Sequence, residues 1–149
     1  MAGSMSDTYE KKVLDLIFRN ANASATAPLG LNATNVWVAL GTAGSDSAFT
    51  ELAATGSYAR VACDRTSGAS VWNAATGNSP GLTDNSGTIT FPTATGSWGT
   101  VTHFAIFDTS TVGSAASTMV YWGDLTASKT IGSGDTASFA AGALDITQD

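Results

Sequence analysis

Residues 89–149 read ITFPTATGSWGTVTHFAIFDTSTVGSAASTMVYWGDLTASKTIGSGDTASFAAGALDITQD, and this stretch decides the fold. Short apolar segments alternate in it with clusters of Gly, Ser, Thr and Asp, the residue types that favour turns. Frequent short strands separated by turn signals are typical of antiparallel sandwiches and barrels. Side chains that commonly perform catalysis are scarce here, which indicates a scaffold or a binding surface rather than an enzyme.

The same pattern begins upstream and fixes the predicted fold class. VWVAL at residues 36–40 is almost wholly apolar and predicts a strand buried on both faces, and SYARVAC at 57–63 alternates as a further strand does. VTHFAIF at 101–107 predicts a core strand, MVYWGDL at 119–125 its return strand, and residues 128–131 a separate short strand. We therefore expect a mainly β protein, an antiparallel β-sandwich or jelly-roll-like domain, with one short N-terminal α-helix.

The one helix is predicted over residues 7–20. Asp7 and Glu10 have the spacing of a capping box. Tyr9, Val13, Leu16 and Ile17 recur at the spacing of one helical stripe, and Leu14 and Phe18 widen it. The side chains expected to make a contact are Tyr9, Val13, Leu14, Ile17 and Phe18. Because this stripe is wide, we expect the helix to serve as an anchor or as a contact between subunits.

The length of 149 residues fits one domain with a sizeable core. We expect residues 1–4 to be the remnant of an expression vector ahead of a natural initiator at Met5. The helix then occupies residues 5–22, and a single β-sandwich domain occupies 23–149.

Composition excludes several classes of partner. The net charge of −6 argues against nucleic acid, whose phosphates require clustered Lys and Arg. No apolar run is long enough for a membrane span or a secretion signal. Charged residues make up 12 % of the chain, about half of the usual share. Such a low-charge surface suits a subunit that packs among other copies of itself.

The inventory of metal-binding and redox side chains is small. Cys63 and His103 are the one cysteine and the one histidine, so the chain can form neither an internal disulfide nor a zinc site of Cys and His ligands. We expect Cys63 to be a small buried hydrophobic residue. We expect no cofactor and no metal.

Several motifs resemble a family of small bacteriophage virion proteins usually labelled tail-fibre proteins. The resemblance runs over residues 5–149, and its most specific parts are FP at 91–92, SWGTVTH at 97–103 and GDT at 134–136. SYARVAC matches the "YAR" strand of the family, and YEKKVLDLIFRN matches its N-terminal helix. Family members often carry a longer loop with a Gly-Thr-Glu motif before the YAR strand, where this chain has Thr50-Glu51-Leu52. The resemblance implies a structural protein of the virion, on the tail or on the capsid.

Polar candidates for a site are few. His103 alternates with Val101 and Ala105, which predicts a partly buried histidine with a hydrogen-bond partner; a pH-sensitive contact between subunits is the sharper alternative, because imidazole titrates near neutrality. Asp108, Asp124 and Asp135 are expected after strand ends, where turn hydrogen bonds explain them. A calcium site is the alternative for these carboxylates.

The large aromatic side chains carry the remaining hypothesis. Most such residues in a small β domain belong to the core. Trp72 and Trp98 are flanked by loop residues, so we expect them to be the exposed pair and the candidate contact for a glycan.

Two functions follow from these observations. The first is a non-enzymatic structural protein of the phage particle, a tail-fibre or appendage subunit or a capsid decoration (cement) protein. It would assemble in the bacterial host cytoplasm, form a homo-oligomer, a trimer by expectation, and bind other virion proteins. The alternative is a carbohydrate-binding module that recognises host surface glycans. An enzyme is disfavoured because no phosphate-binding loop, nucleophile elbow or metal-ligand cluster is present.

Overall fold

The computed structural model describes residues 7–19, 34–45, 47–66, 71–76, 81–114 and 119–148, with the side chains of residues 7–12 and 148 left out. Its elements are α1 (Asp7–Arg19), β1 (Asn35–Ser45), β2 (Ala48–Glu51), β3 (Val61–Asp64), β4 (Gly81–Thr83), β5 (Ile89–Thr90), β6 (Gly99–Phe107), β7 (Met119–Ile131), β8 (Ser138–Phe139) and β9 (Ile146–Gln148). Within these ranges no helix has the length and apolar character needed to cross a bilayer.

The strands form three sheets. The largest has the order β2-β1-β6-β7, and β3 also pairs with β1; the other two pair β4 with β9 and β5 with β8. The β1–β2, β1–β6, β6–β7 and β4–β9 pairs are antiparallel. The predicted mainly β, antiparallel, sandwich-like class with one short helix is confirmed, and the jelly-roll alternative stays a prediction.

The chain divides into two compact units. The first comprises Met1–Asn35, Cys63–Ile89 and Phe139–Asp149, and the second comprises Val36–Ala62 and Thr90–Ser138. The sequence-based boundaries, with one β domain over residues 23–149, stay a prediction.

In the first unit the helix packs against β4 and the Trp72 region. Leu14 and Phe18 are 2 % and 1 % exposed, and the Phe18 ring lies 4.7 Å from the Trp72 ring, centroid to centroid. The buried Arg65 guanidinium donates to the Leu16 carbonyl at 2.5 Å. That carbonyl is among the last four of α1, which lack partners inside a helix, so Arg65 caps the helix. Burial lowers the pKa of Arg65.

A buried amide joins the remaining segments of the first unit. The Asn85 side chain donates to the carbonyls of Gly87 and Ala140, both at 2.7 Å, and accepts from the Leu144 amide at 2.9 Å. Asn85 is completely buried. Because a buried amide is costly unless it is bonded, this asparagine fixes the conformation of the chain before β9.

The second unit is built on the central strands β1 and β6. Their alternation places Val36, Val38, Leu40, Phe104 and Ile106 on one face of the sheet, where all five are buried. The opposite face carries Trp37, Ala39 and Gly41, which pair in register with Phe107, Ala105 and His103. The period-2 pattern of the sequence thus predicts both faces correctly.

The structure corrects the prediction for the return strand. Residues 119–125 and 128–131 were expected to be separate strands, but β7 is continuous from Met119 to Ile131. In the register with β6, Asp124 faces His103 and Lys129 faces Val101. The chain therefore advances five positions along β7, from Asp124 to Lys129, while it covers two positions of β6, from Val101 to His103. Thr126 and Ala127, between the two predicted strands, lie in an irregular, bulged part of one unbroken strand.

Candidate functional site

Three of the motifs that carry the family resemblance meet in the interior of the second unit. The Tyr58 ring stacks on the Phe91 ring, with centroids 6.4 Å apart and planes 10° apart. It meets the Trp98 ring edge-on at 5.3 Å and 79°. All three rings are buried. The YAR, FP and SWG motifs therefore meet in one aromatic cluster.

A tight turn aims the YAR segment into this cluster. Gly56 and Ser57 have φ values of 57° and 65°, and the Tyr58 amide donates to the Thr55 carbonyl at 3.0 Å. Two successive positive φ values define a type I′ turn, a conformation that glycine adopts without strain. The Gly56 carbonyl also accepts the indole N–H of Trp98 at 2.8 Å. The turn and the cluster thus hold each other in place.

The Tyr58 hydroxyl bonds the edge of β1. It accepts from the Leu40 amide at 2.9 Å, and its own hydrogen faces the Leu40 carbonyl and Glu51 Oε1, each at 3.2 Å. Burial raises the pKa of Tyr58 well above its usual value. The phenol is a structural hydrogen-bond donor and not a catalytic acid at neutral pH.

A buried ion pair lies beside this hydroxyl. Arg60 Nε and Nη2 donate to the two carboxylate oxygens of Glu51 at 2.8 and 2.7 Å, and the side chains are 1 % and 8 % exposed. Arg60 also donates to the Thr109 carbonyl at 2.9 Å, and its guanidinium lies 3.8 Å above the Phe107 ring. The amide of Gly113 donates to Glu51 at 3.3 Å. The pair therefore joins β2 to the segment that follows β6.

The raised pKa of Tyr58 predicts that the stability of the protein depends on pH in the alkaline range. Because its pKa is raised in the folded protein, unfolding releases a proton above the usual pKa of tyrosine, about 10. The stability is fully present below that pH and falls as the pH rises further. We expect the urea midpoint to drop above about pH 10, with Tyr58→Phe less sensitive than the wild type. Absorbance at 295 nm checks this: Tyr58 should ionise together with unfolding, and its ionisation in the folded state would contradict the prediction.

The second unit also presents a partly exposed apolar surface on the far side of its sheet. Phe49, Met119 and Trp122 pack against buried Ala39, Ala105 and Phe107 while remaining partly accessible, and Trp37 shares this side of the sheet. We call the four partly exposed residues, Trp37, Phe49, Met119 and Trp122, the open face. Aromatic and methionine side chains are enriched at the centres of protein interfaces.

A close approach shapes the open face. A Cβ atom on Gly44 would lie 2.6 Å from the Trp122 ring. Any side chain at position 44 would therefore displace this ring. The small residue on β1 lets the indole of β7 lie flat across the sheet.

The structure corrects the expectation for the other two tryptophans. Trp72 and Trp98 were expected to be exposed, but they are 2 % and 8 % exposed. The Trp72 ring packs on Phe18, and the Trp98 ring packs on Tyr58. Loop residues beside an aromatic in sequence do not expose it, since the burial comes from distant segments. The partly exposed tryptophans are Trp37 and Trp122.

The predicted contact residues of α1 differ in their burial. Leu14 and Phe18 belong to the core of their own unit, so they stabilise the fold and are not available to a partner. Val13 and Ile17 are only partly buried, and the Tyr9 side chain lies outside the described residues. The anchor or intersubunit role of the helix therefore stays a prediction that rests on Val13 and Ile17.

His103 lies next to the open face and has partners on both ring nitrogens. Nε2 lies 2.8 Å from Asp124 Oδ1, and Nδ1 lies 2.6 Å from the Thr102 hydroxyl. The ring stacks against Trp122, with centroids 6.2 Å apart. The predicted partly buried, hydrogen-bonded histidine is what the structure shows.

The acidic residues that the structure describes do not form a metal-binding cluster with one another. Asp135 accepts the Gly132 amide at 2.8 Å and closes the turn after β7, as turn chemistry predicts. Asp124 was expected after a strand end, but it lies within the long strand β7. Among the described residues no three His, Cys, Asp or Glu side chains group as a metal site would require. Cys63 is buried, as expected.

The family to which these features belong is established by comparison with known families. The family of the podophage GP4 fiber I protein gp80 matches residues 4–147. The chain belongs to this family, and the name of the family describes a phage fibre protein. No curated protein matches the chain.

Proposed function

We propose that this chain is a non-enzymatic structural subunit of a fibre on the phage particle, and that it binds further copies of itself and other virion proteins through the open face. The observation that carries the proposal is the partly exposed set of aromatic residues and methionine on a rigid sheet, in a chain of a fibre family. The buried YAR, FP and SWG motifs stabilise the sheet, and the open face contacts the partner proteins.

The chemistry of the open face suits a protein partner. Tryptophan, phenylalanine and methionine offer large apolar area, and the residues that they cover, Ala39, Ala105 and Phe107, are already buried. The low proportion of charged residues reduces the cost of removing the surrounding surface from water. A homotrimer that assembles in the host cytoplasm remains the expected form of the assembly. No observation favours a capsid-decoration or glycan-binding role, so neither is proposed.

A charge placed on the open face tests the proposal. We expect Trp37→Glu to convert the wild-type oligomer into folded monomers and to prevent incorporation into particles, because a buried, unpaired carboxylate disfavours the interface. Phe49→Glu provides a second variant in case the first fails to fold. Thr126→Glu, at an exposed position of β7, is the matched control and should leave assembly unchanged. Sedimentation velocity measures the mass, and circular dichroism the fold.

The outcome is decided by two comparisons. A wild-type chain that stays monomeric at high concentration and is absent from particles would contradict the proposal. So would a folded Trp37→Glu variant that assembles as well as Thr126→Glu does.

A further inference from the structure

The hydrogen bonds around His103 can all form at once in only one protonation state of the ring. The Thr102 hydroxyl donates to the Thr42 carbonyl at 2.9 Å, and its oxygen also lies 2.6 Å from His103 Nδ1. One hydroxyl hydrogen cannot serve both contacts, so Nδ1 must itself donate if both are made. Nε2 faces the carboxylate of Asp124 and must also donate. Only an imidazolium, which carries a hydrogen on each nitrogen, makes all three bonds at once.

These bonds lie where the register of β7 changes. Asp124 faces His103 across the β6–β7 ladder, and the next paired residue of β7 is Lys129, opposite Val101. The His103 ring stacks on Trp122, a member of the open face. The contact between His103 and Asp124, whose side chain is 77 % exposed, therefore joins β6 to β7 at the last regular pair before the bulge, next to the open face.

We infer that His103 is a pH-dependent latch that holds β7 and the Trp122 side of the open face firmly when the imidazole is protonated and loosens them when it is neutral. A neutral ring can make only two of the three bonds, so one bond is lost when the imidazole releases a proton. The regulation of the open face rests on the proposed function, whereas the latch itself does not.

The charged neighbours of the latch are few and can be named. The His103 ring contacts the Asp124 carboxylate and the Trp122 indole of β7, and the Thr102 hydroxyl of its own strand. From β1 the residue opposite is Gly41, which carries no charge. The cation nearest along β7 is Lys129, paired with Val101. Asp124 is therefore the group whose charge the latch depends on.

Nuclear magnetic resonance of the full chain tests the latch. Because His103 is the only histidine, ¹⁵N signals of a histidine-labelled sample report its two ring nitrogens without ambiguity. We expect hydrogen on both nitrogens at the acidic end of a pH series and on one nitrogen at its alkaline end. Protection of the β7 amides at residues 122–124, corrected for the intrinsic pH dependence of exchange, should fall over the same range by about 3- to 10-fold, the worth of one hydrogen bond.

Variants separate the latch from a general effect of pH. In Asp124→Asn the side-chain amide can donate to Nε2 of a neutral ring that keeps its hydrogen on Nδ1, so all three bonds survive deprotonation. We therefore expect the pH dependence of β7 protection to disappear. Asp145→Asn, at an exposed position before β9, should retain it. A protonated ring that lacks hydrogen on Nδ1, or equal β7 protection at the two ends of the pH series, would overturn the inference. These measurements need no assembly, so a failure of the proposed function would leave their result intact.

Discussion

Replacement of Arg60 by alanine is expected to destabilise the protein by about 3–5 kcal/mol. The side chain forms two bonds to Glu51 and one to the Thr109 carbonyl, and it is 1 % exposed. Its removal leaves the Glu51 carboxylate buried without a counter-charge, which costs more than the loss of the contacts themselves. Urea denaturation followed by tryptophan fluorescence measures the change.

A double variant is the sharpest control for this prediction. Arg60→Met combined with Glu51→Leu removes both charges and keeps the apolar volume, and such replacements are often neutral or stabilising. We expect it to recover most of the lost stability. Lys129→Ala, at an exposed position, should change stability by less than about 0.5 kcal/mol. If Arg60→Ala costs no more than Lys129→Ala, the ion pair does not hold the second unit together.

Trp98→Ala is expected to have an effect of similar size, about 3–5 kcal/mol. The indole packs edge-on against Tyr58, and its N–H donates to the Gly56 carbonyl at 2.8 Å. The substitution removes a large buried ring and releases the turn that positions the YAR segment. Thermal and urea denaturation check the prediction.

The same variant decides between the core and glycan interpretations of this tryptophan. Trp98→Phe keeps an aromatic ring and loses the hydrogen bond, so it should cost less than Trp98→Ala. A Trp98→Ala protein with wild-type stability that has lost retention on a glycan column would contradict the buried role. A destabilised protein is the result that the structure predicts.

The fold class and much of the central sheet could be predicted because they depend on local patterns. The alternation of VTHFAIF predicts which side chains of β6 share a face, and the apolar VWVAL predicts a largely buried β1, in which Trp37 alone of these five residues stays partly exposed. The wide apolar stripe on α1 also indicated that the helix buries apolar side chains. It reflects burial of Leu14 and Phe18 within their own unit.

The features that could not be predicted depend on contacts between distant segments. Trp98 is buried by the Tyr58 turn, 40 positions earlier in the sequence, and no neighbouring residue signals this. The partner of Arg60 is Glu51, beyond a turn whose geometry the sequence does not reveal. The signal that could have identified Glu51 was the Thr-Glu pair before the YAR strand, at the place where the family carries Gly-Thr-Glu. The continuity of β7 was missed because a bulge and a turn use the same residue types.

Cryo-electron microscopy of the intact phage particle tests the central claim most directly. We expect this chain to fit density in a fibre appendage, as several copies, with Trp37, Phe49, Met119 and Trp122 covered by a neighbouring protein. Density on the capsid lattice, or a fibre in which these four side chains face solvent in every copy, would contradict the account.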